Sequence, residues 1–288
     1  MSLILDGKAV SASVRGEIKE EVRVFSEKSG ITPCLAVIIV GEDPASQVYV
    51  RNKQRACGEV GIKSIVCELT KETTENELLD IIDRMNKDDD IHGILVQLPL
   101  PKHIDEKKVI NAIRPEKDVD AFHPINVGKI MIGDFDYLPC TPAGVMQILH
   151  HYNINVAGKR CVVIGRSNTV GKPQAMLMLH KNATVTICHS KTQNIADITR
   201  NADIIVAAVG RAGFVTADMV KDGVVVIDVG INRGEDGKLY GDVDFDNVSK
   251  KSYAITPVPG GVGPMTITML LKNTLTAAKK LLKYEKFS

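Results

Sequence analysis

Four side chains in the first half of the sequence could do acid–base chemistry together. Tyr49 and Lys53 stand four residues apart in a stretch, Gln47 to Val60, that reads as a helix, so they share a face. Gln97 lies in the apolar run GILVQL close to Pro99, and Asp120 lies in the irregular segment KDVDAFHP. A lysine held by an amide in a partly dry pocket has its charged form disfavoured by desolvation and can then pass protons. Lys53, Gln97, Tyr49 and Asp120 are therefore the candidate catalytic set. Each alone has an ordinary explanation, since Tyr-xxx-Lys is a common amphipathic helix face and a lone strand Gln is commonly a satisfied edge residue.

A second candidate is the stretch RCVVIGRSNTVGKP, Arg160 to Pro173. Cys161 to Ile164 reads as a short buried strand, Gly165 breaks it, and Gly171 opens a periodic run through Met176, Leu177 and Leu179. A strand, a glycine turn and a helix start place backbone N–H groups and a helix dipole where a phosphate can sit. The glycines are six residues apart with none between, so this is not the plain GxGxxG fingerprint. In a Rossmann unit a carboxylate about 20 residues on accepts hydrogen bonds from the adenosine ribose. Here the next strand ends in Cys188-His189-Ser190, followed by Lys191 and Thr192, with no acid at the tip. An acid would repel a 2′-phosphate, whereas hydroxyls and the guanidinium fork of Arg166 would accept one. Arg166 and Ser190 thus point to NADP rather than NAD. Gly210 and the pair Gly230-Ile231 end two later strands, where missing side chains let a flat ring approach the backbone. The cluster PVPGGVGPMT, Pro257 to Thr266, has the same low bulk, with Pro264 suited to the first turn of a helix from about Met265 to Leu282.

The elements that must position these groups alternate. Helical stripes run from Val10 to Phe25, Thr74 to Lys87 and Ile104 to Ile113, and strands from Cys34 to Val40, Ile62 to Leu69 and Gly93 to Leu98. Thr74 and Glu77 have the spacing of a capping box. Arg114 to Pro142 reads as a long irregular crossing punctuated by four prolines, followed by a connecting helix, Thr141 to Tyr152. A second series of strands follows at Cys161 to Ile164, Ala183 to Cys188, Asp203 to Val209 and Val224 to Val229. The expected fold class is α/β, with two α/β domains of which the C-terminal one is Rossmann-like. Residues 1–140 with 268–288 would form the catalytic domain, and residues 141–267 the nucleotide domain.

The 288 residues suffice for two domains, and a net charge of +1 with 44% hydrophobic residues describes an ordinary globular chain. No basic excess points to nucleic acid or an anionic membrane, and aromatics at 4% with no Trp argue against base stacking. No run is apolar enough to span a bilayer and no secretory signal opens the chain. The six cysteines form no CxxC pair and read as reduced thiols of a cytoplasmic protein. The histidines show no metal-ligand spacing.

Taken together, VGEDPASQVYVRNKQRACGEVGI, GILVQLPLP, PEKDVDAFHPINVGK, CTPAGVMQIL, VIGRSNTVGKP, ATVTICHSKT, DVGIN and TPVPGGVGPMT closely resemble the bifunctional methylenetetrahydrofolate dehydrogenase/cyclohydrolase family. The resemblance implies NADP-dependent oxidation of 5,10-methylenetetrahydrofolate to the 5,10-methenyl cation, then hydrolysis to 10-formyltetrahydrofolate. It places these reactions in one-carbon metabolism and purine biosynthesis. It assigns proton transfer in the hydrolysis to Lys53, orientation of that lysine to Gln97, stacking on the aminobenzoate ring to Tyr49 and hydrogen bonding of the pterin to Asp120. Val96 and Leu98, with Pro259, Gly260, Gly261, Gly263 and Pro264, would complete the folate pocket. Gly165, Arg166, Ser167, Gly171, Ser190, Gly230 and Ile231 would bind NADP, and no metal is implied. The family also implies an active-site cleft between the two domains, closed by hinge motion, and a homodimer. Two positions depart from the family pattern: Ala121 stands where Gly is common and Thr169 where Ile is usual. The alternatives are a dehydrogenase without hydrolysis, a folate or nucleotide binding module, and another two-domain NADP oxidoreductase of the shikimate dehydrogenase type. The last would not explain PVPGGVGPMT.

Overall fold

Continuous apolar runs become parallel strands, and most of them alternate with helices. In the computed structural model, which describes residues 2–282, β1 (Leu3–Ile4) and α1 (Gly7–Ser29) come first. Then β2 (Cys34–Val40), β3 (Lys63–Leu69) and β4 (Gly93–Val96) alternate with α2 (Pro44–Val60), α3 (Glu75–Lys87) and α4 (Glu106–Ala112). α5 (Pro124–Ile132) and α6 (Cys140–His151) follow. The next strands are β5 (Arg160–Ile164), β6 (Thr184–Cys188), β7 (Ile204–Ala207) and β8 (Val225–Asp228), with α7 (Gly171–His180) and α8 (Ile195–Thr199) between them. A hairpin of β9 (Asn232–Arg233) and β10 (Leu239–Tyr240), then α9 (Phe245–Val248), β11 (Ala254–Ile255) and α10 (Val262–Leu281) complete the described chain.

The chain divides into two units, one of residues Met1–Ala12 with Pro139–Thr266 and one of Ser13–Leu138 with Ile267–Ser288. The second unit holds a parallel sheet in the order β3-β2-β4. All seven residues of its central strand, CLAVIIV, are buried, which is why that run shows no alternation. α3 is entered through the expected capping box: Thr74 Oγ1 accepts from Glu77 N–H and Glu77 Oε2 accepts from Thr74 N–H. Its Leu78 and Ile82 reach Ala36, Ile38 and Ile94 in the core.

The first unit holds a six-stranded sheet in the order β1-β11-β8-β7-β5-β6, parallel throughout. From β5 the chain goes to β6 on one side and then to β7 on the other. The order therefore reverses at the β5–β7 boundary, the place where open α/β sheets bind ligands beyond the carboxyl ends of their strands.

The structure corrects several expectations. The opening strand pairs with the larger sheet: β1 lies beside β11, and Leu5 N–H donates to Ile255 O at 2.9 Å. The 114–142 crossing contains a helix, α5. Its Pro124 occupies the first helical position, where no N–H is needed, His123 Nδ1 caps Ile125 N–H at 3.1 Å, and Gly133 closes it at φ 81°. Gln97 lies just past the end of β4, although its N–H still donates to Ile38 O at 2.8 Å. The last helix starts at Val262, three residues ahead of Met265, because Pro264 sits within a first turn that needs no donor from it.

Candidate functional site

In the second unit the lysine and glutamine expected to act together do meet. α2 starts behind Asp43, whose carboxylate caps Ser46 N–H at 2.8 Å, with Pro44 at the first position. One turn apart on this helix stand Tyr49, 42% exposed, and Lys53, half-buried. Lys53 Nζ donates to Gln97 Oε1 at 2.9 Å. Gln97 Nε2 donates to Leu98 O at 2.7 Å, so both ends of the amide are committed and the oxygen is aimed at the lysine.

Asp120 comes to the same strand end. It lines a small cavity of about 20 Å³ together with Val96, Leu98, Asp118 and Phe122. The loop that carries it is built from buried polar groups. Lys117, 1% exposed, donates through Nζ to Met85 O and Asp88 O at the end of α3, at 3.1 and 2.6 Å. Burial pushes its ammonium below the ordinary lysine range. Asp118 Oδ2 accepts from His123 N–H and from Asn126 Nδ2, both at 2.8 Å, while burial pushes its carboxyl upward. Ala121 is held at φ 58°, in the left-handed region that favours glycine.

In the first unit the turn after β5 needs its glycines for its own packing. Gly165 has φ 137°, and a Cβ there would overlap the carbonyl oxygen of Ala208; one at Gly171 would overlap that of Gly165. Ser167 Oγ accepts from Val170 N–H at 3.1 Å and Gly171 N–H at 3.3 Å, which shapes the start of α7. Arg166, Ser167 and, at the β6 tip, Ser190 are exposed. Gly230 and Ile231 end β8, and Ile231, 47% exposed, lies beside Gly263. The stretch Pro259 to Pro264 belongs to this unit, where Gly260 O accepts from Lys8 N–H at 3.1 Å and Gly261 packs where a Cβ on Gly7 would be.

Two carboxylates at these strand tips escaped the sequence analysis. Asp242 accepts from Val209, Gly210 and Arg211 N–H and from Asn232 Nδ2. Asp228 accepts from Gly230, Asp242 and Val243 N–H, and burial, outweighing those bonds, pushes its carboxyl up to about 6. An acid among valines, in DVGIN and again in GDVDF, was the available signal. The cysteines offer no nucleophile here: burial pushes Cys57 and Cys161 up to about 12. Among the described residues no helix is long and apolar enough to cross a membrane.

Comparison with known proteins places a catalytic part ahead of a nucleotide-binding part along the chain. Residues 5–120 match the catalytic domain of tetrahydrofolate dehydrogenase/cyclohydrolase, and residues 139–282 match its NAD(P)-binding domain. The bifunctional protein FolD of Acetivibrio thermocellus is 59% identical over 276 residues, 96% of each chain. Among solved structures, the bifunctional enzyme FolD from Campylobacter jejuni superposes with a TM-score of 0.95 at 54% identity, over 97% of this chain and 99% of that one. The Trypanosoma brucei enzyme, complexed with NADP cofactor and inhibitor, superposes with a TM-score of 0.94 at 41% identity, over 98% and 99%.

Proposed function

Because the chain belongs to the tetrahydrofolate dehydrogenase/cyclohydrolase family, we propose that Lys53, held by Gln97, is the acid–base group of a bifunctional enzyme acting on 5,10-methylenetetrahydrofolate. The chain is a methylenetetrahydrofolate dehydrogenase and a methenyltetrahydrofolate cyclohydrolase.

The residues of the first unit fit NADP. Gly165 and Gly171 let the β5 turn close tightly ahead of α7, which leaves backbone N–H groups at the helix start, and the β6 tip offers Ser190 and no carboxylate. Arg166 is exposed and, among the described residues, in no ion pair, so its fork is available to a 2′-phosphate. NADP supplies the hydride acceptor when bound. For oxidation the protein needs no side-chain acid; it must hold the methylene carbon close to that acceptor. Asp120 and the walls at Val96 and Leu98 serve the pterin end, and exposed Tyr49 offers its ring to the aminobenzoate.

Hydrolysis of the methenyl cation does need proton transfer. Water adds to the cationic carbon and loses a proton; the carbon–N5 bond then breaks as N5 takes a proton and the remaining hydroxyl gives up its own to become the formyl carbonyl. One proton is released overall. Lys53 is suited to both transfers because its nitrogen is fixed by an acceptor that is fixed in turn. That pair of hydrogen bonds is the observation on which the assignment rests. In Lys53→Met, methenyl hydrolysis should fall to the uncatalysed background while NADP binding persists; hydrolysis at the wild-type rate would sink the assignment.

Six free thiols support a cytoplasmic setting, and the family resemblance supports a homodimer, to be checked by light scattering on the purified protein.

A further inference from the structure

We propose that Asp242 is a positioning residue for the oxidation step. Its carboxylate ties the tip of β7 to the tip of β8 and so fixes the surface on which the cofactor's redox ring would lie. This goes beyond the assignment of Lys53 and rests on the functional reading only for the place of the cofactor.

Asp242 has no solvent exposure. Its partners are four neutral N–H donors: Val209 N at 2.6 Å and Gly210 N at 2.9 Å on Oδ2, Arg211 N and Asn232 Nδ2 at 2.9 Å on Oδ1. Three come from successive residues just past β7, and the fourth from the first residue of β9, which follows β8. A buried carboxylate costs several kcal/mol unless its lone pairs are filled, and here two separate strand tips fill them. Remove the carboxylate and three adjacent backbone donors lose their acceptor together.

The fit is close on every side. A Cβ on Gly230 would overlap Asp242 Oδ1, so the β8 tip packs directly against the carboxylate. Asp228 holds Asp242 from behind, accepting its N–H at 2.9 Å and that of Val243 at 3.0 Å, and a Cβ on Gly241 would overlap Asp228 Oδ2. Gly210 is thus set by Asp242, and Gly230 by Asp228 and Asp242 together. These tips stand beside the sheet's point of reversal, where open α/β sheets take their ligands.

The test uses full-length Asp242→Asn and Asn232→Ala. The first keeps the shape but replaces one acceptor oxygen with a donor that faces N–H groups; the second cuts the Asn232 bridge to Asp242, along with a 3.3 Å bond to Tyr240 O in the hairpin, and leaves the three backbone donors in place. Both are assayed for oxidation at varied NADP and for methenyl hydrolysis, with melting temperature as the check on folding. A displaced ring costs up to about 100-fold in rate, so kcat/KM for NADP should fall at least about tenfold in Asp242→Asn. In Asn232→Ala, KM for NADP should rise severalfold with kcat near wild type. Hydrolysis should hold in both, since Lys53 and Gln97 lie in the other unit. Equal loss of both activities in Asp242→Asn together with unchanged NADP kinetics in Asn232→Ala would reduce Asp242 to a structural group. Unchanged NADP kinetics in both variants overturns the proposal alone. A wild-type protein unable to oxidise its substrate with NADP overturns the functional reading and this proposal with it.

Discussion

Lys53 and Gln97 are joined by one hydrogen bond, Nζ to Oε1 at 2.9 Å, and the glutamine's other end is spent on Leu98 O at 2.7 Å. The amide therefore cannot turn its NH2 group toward the lysine without losing both bonds. Gln97→Leu should leave the ammonium unanchored and lower methenyl hydrolysis by roughly 100-fold, the scale of a positioned acid–base group. Oxidation should fall much less. Parallel assays of the two activities check this, and equal loss of both would show that Gln97 serves substrate binding instead.

Gly165→Ala should damage folding before it damages chemistry. The new methyl would overlap the carbonyl oxygen of Ala208, at a residue whose φ is already 137°. Backbone must move on both β5 and β7, at a cost of about 2–4 kcal/mol. Urea denaturation should show a lowered midpoint, and a variant as stable as wild type would mean that the turn has slack.

Asp228 makes stability depend on pH in a definite direction. Its carboxyl rises from the ordinary 3.8 to about 6 in the fold, with burial as the largest cause. The folded state thus holds the proton more tightly than the unfolded chain. This contribution is fully present below pH 3.8 and is lost as the pH rises through about 6. Its size is about 3 kcal/mol, from 1.36 kcal/mol per pKa unit. Paired carboxylates such as Asp136 and Asp203, lowered in the fold, act oppositely, so the check is a difference. Stability of wild type minus that of Asp228→Asn should decline between pH 4 and pH 6; a flat difference contradicts it.

Asp118→Ala should act on the folate side. It strips the acceptor from His123 N–H and Asn126 Nδ2, two groups that shape the loop of Asp120. Stability should fall by about 1–3 kcal/mol for the unsatisfied donors. KM for the folate should rise more than kcat falls, and steady-state kinetics at varied folate read this split directly.

Legibility in the sequence followed the range of the interactions involved. β2 was readable because seven consecutive apolar residues allow little else, and its bounds agree with the expectation. β1 was not, because two residues carry no periodicity and their partner is β11, far along the chain. α5 was hidden because Pro124 was read as a breaker when it is the first residue of the helix. The meeting of Lys53 with Gln97 was expected from family resemblance, and spacing alone could not have supplied it, since the two lie on different elements. Asp242 carried only the faint signal of an acid among valines, and only the folded sheet brings Val209 to Arg211 around it.

The pairing of β1 with β11 also bears on how the protein is made. Leu3 aligns with Ala254 and Ile4 with Ile255, and Ser2 bonds Ser252 across 250 positions. As the polypeptide emerges from the ribosome, amino end first, that margin of the larger sheet stays without its mate until Ala254 and Ile255 have been made. A nascent chain stalled before Ala254 would leave the backbone groups of β1 without their strand partner, so Leu3 N–H and Leu5 N–H would lack the carbonyls of Tyr253 and Ile255.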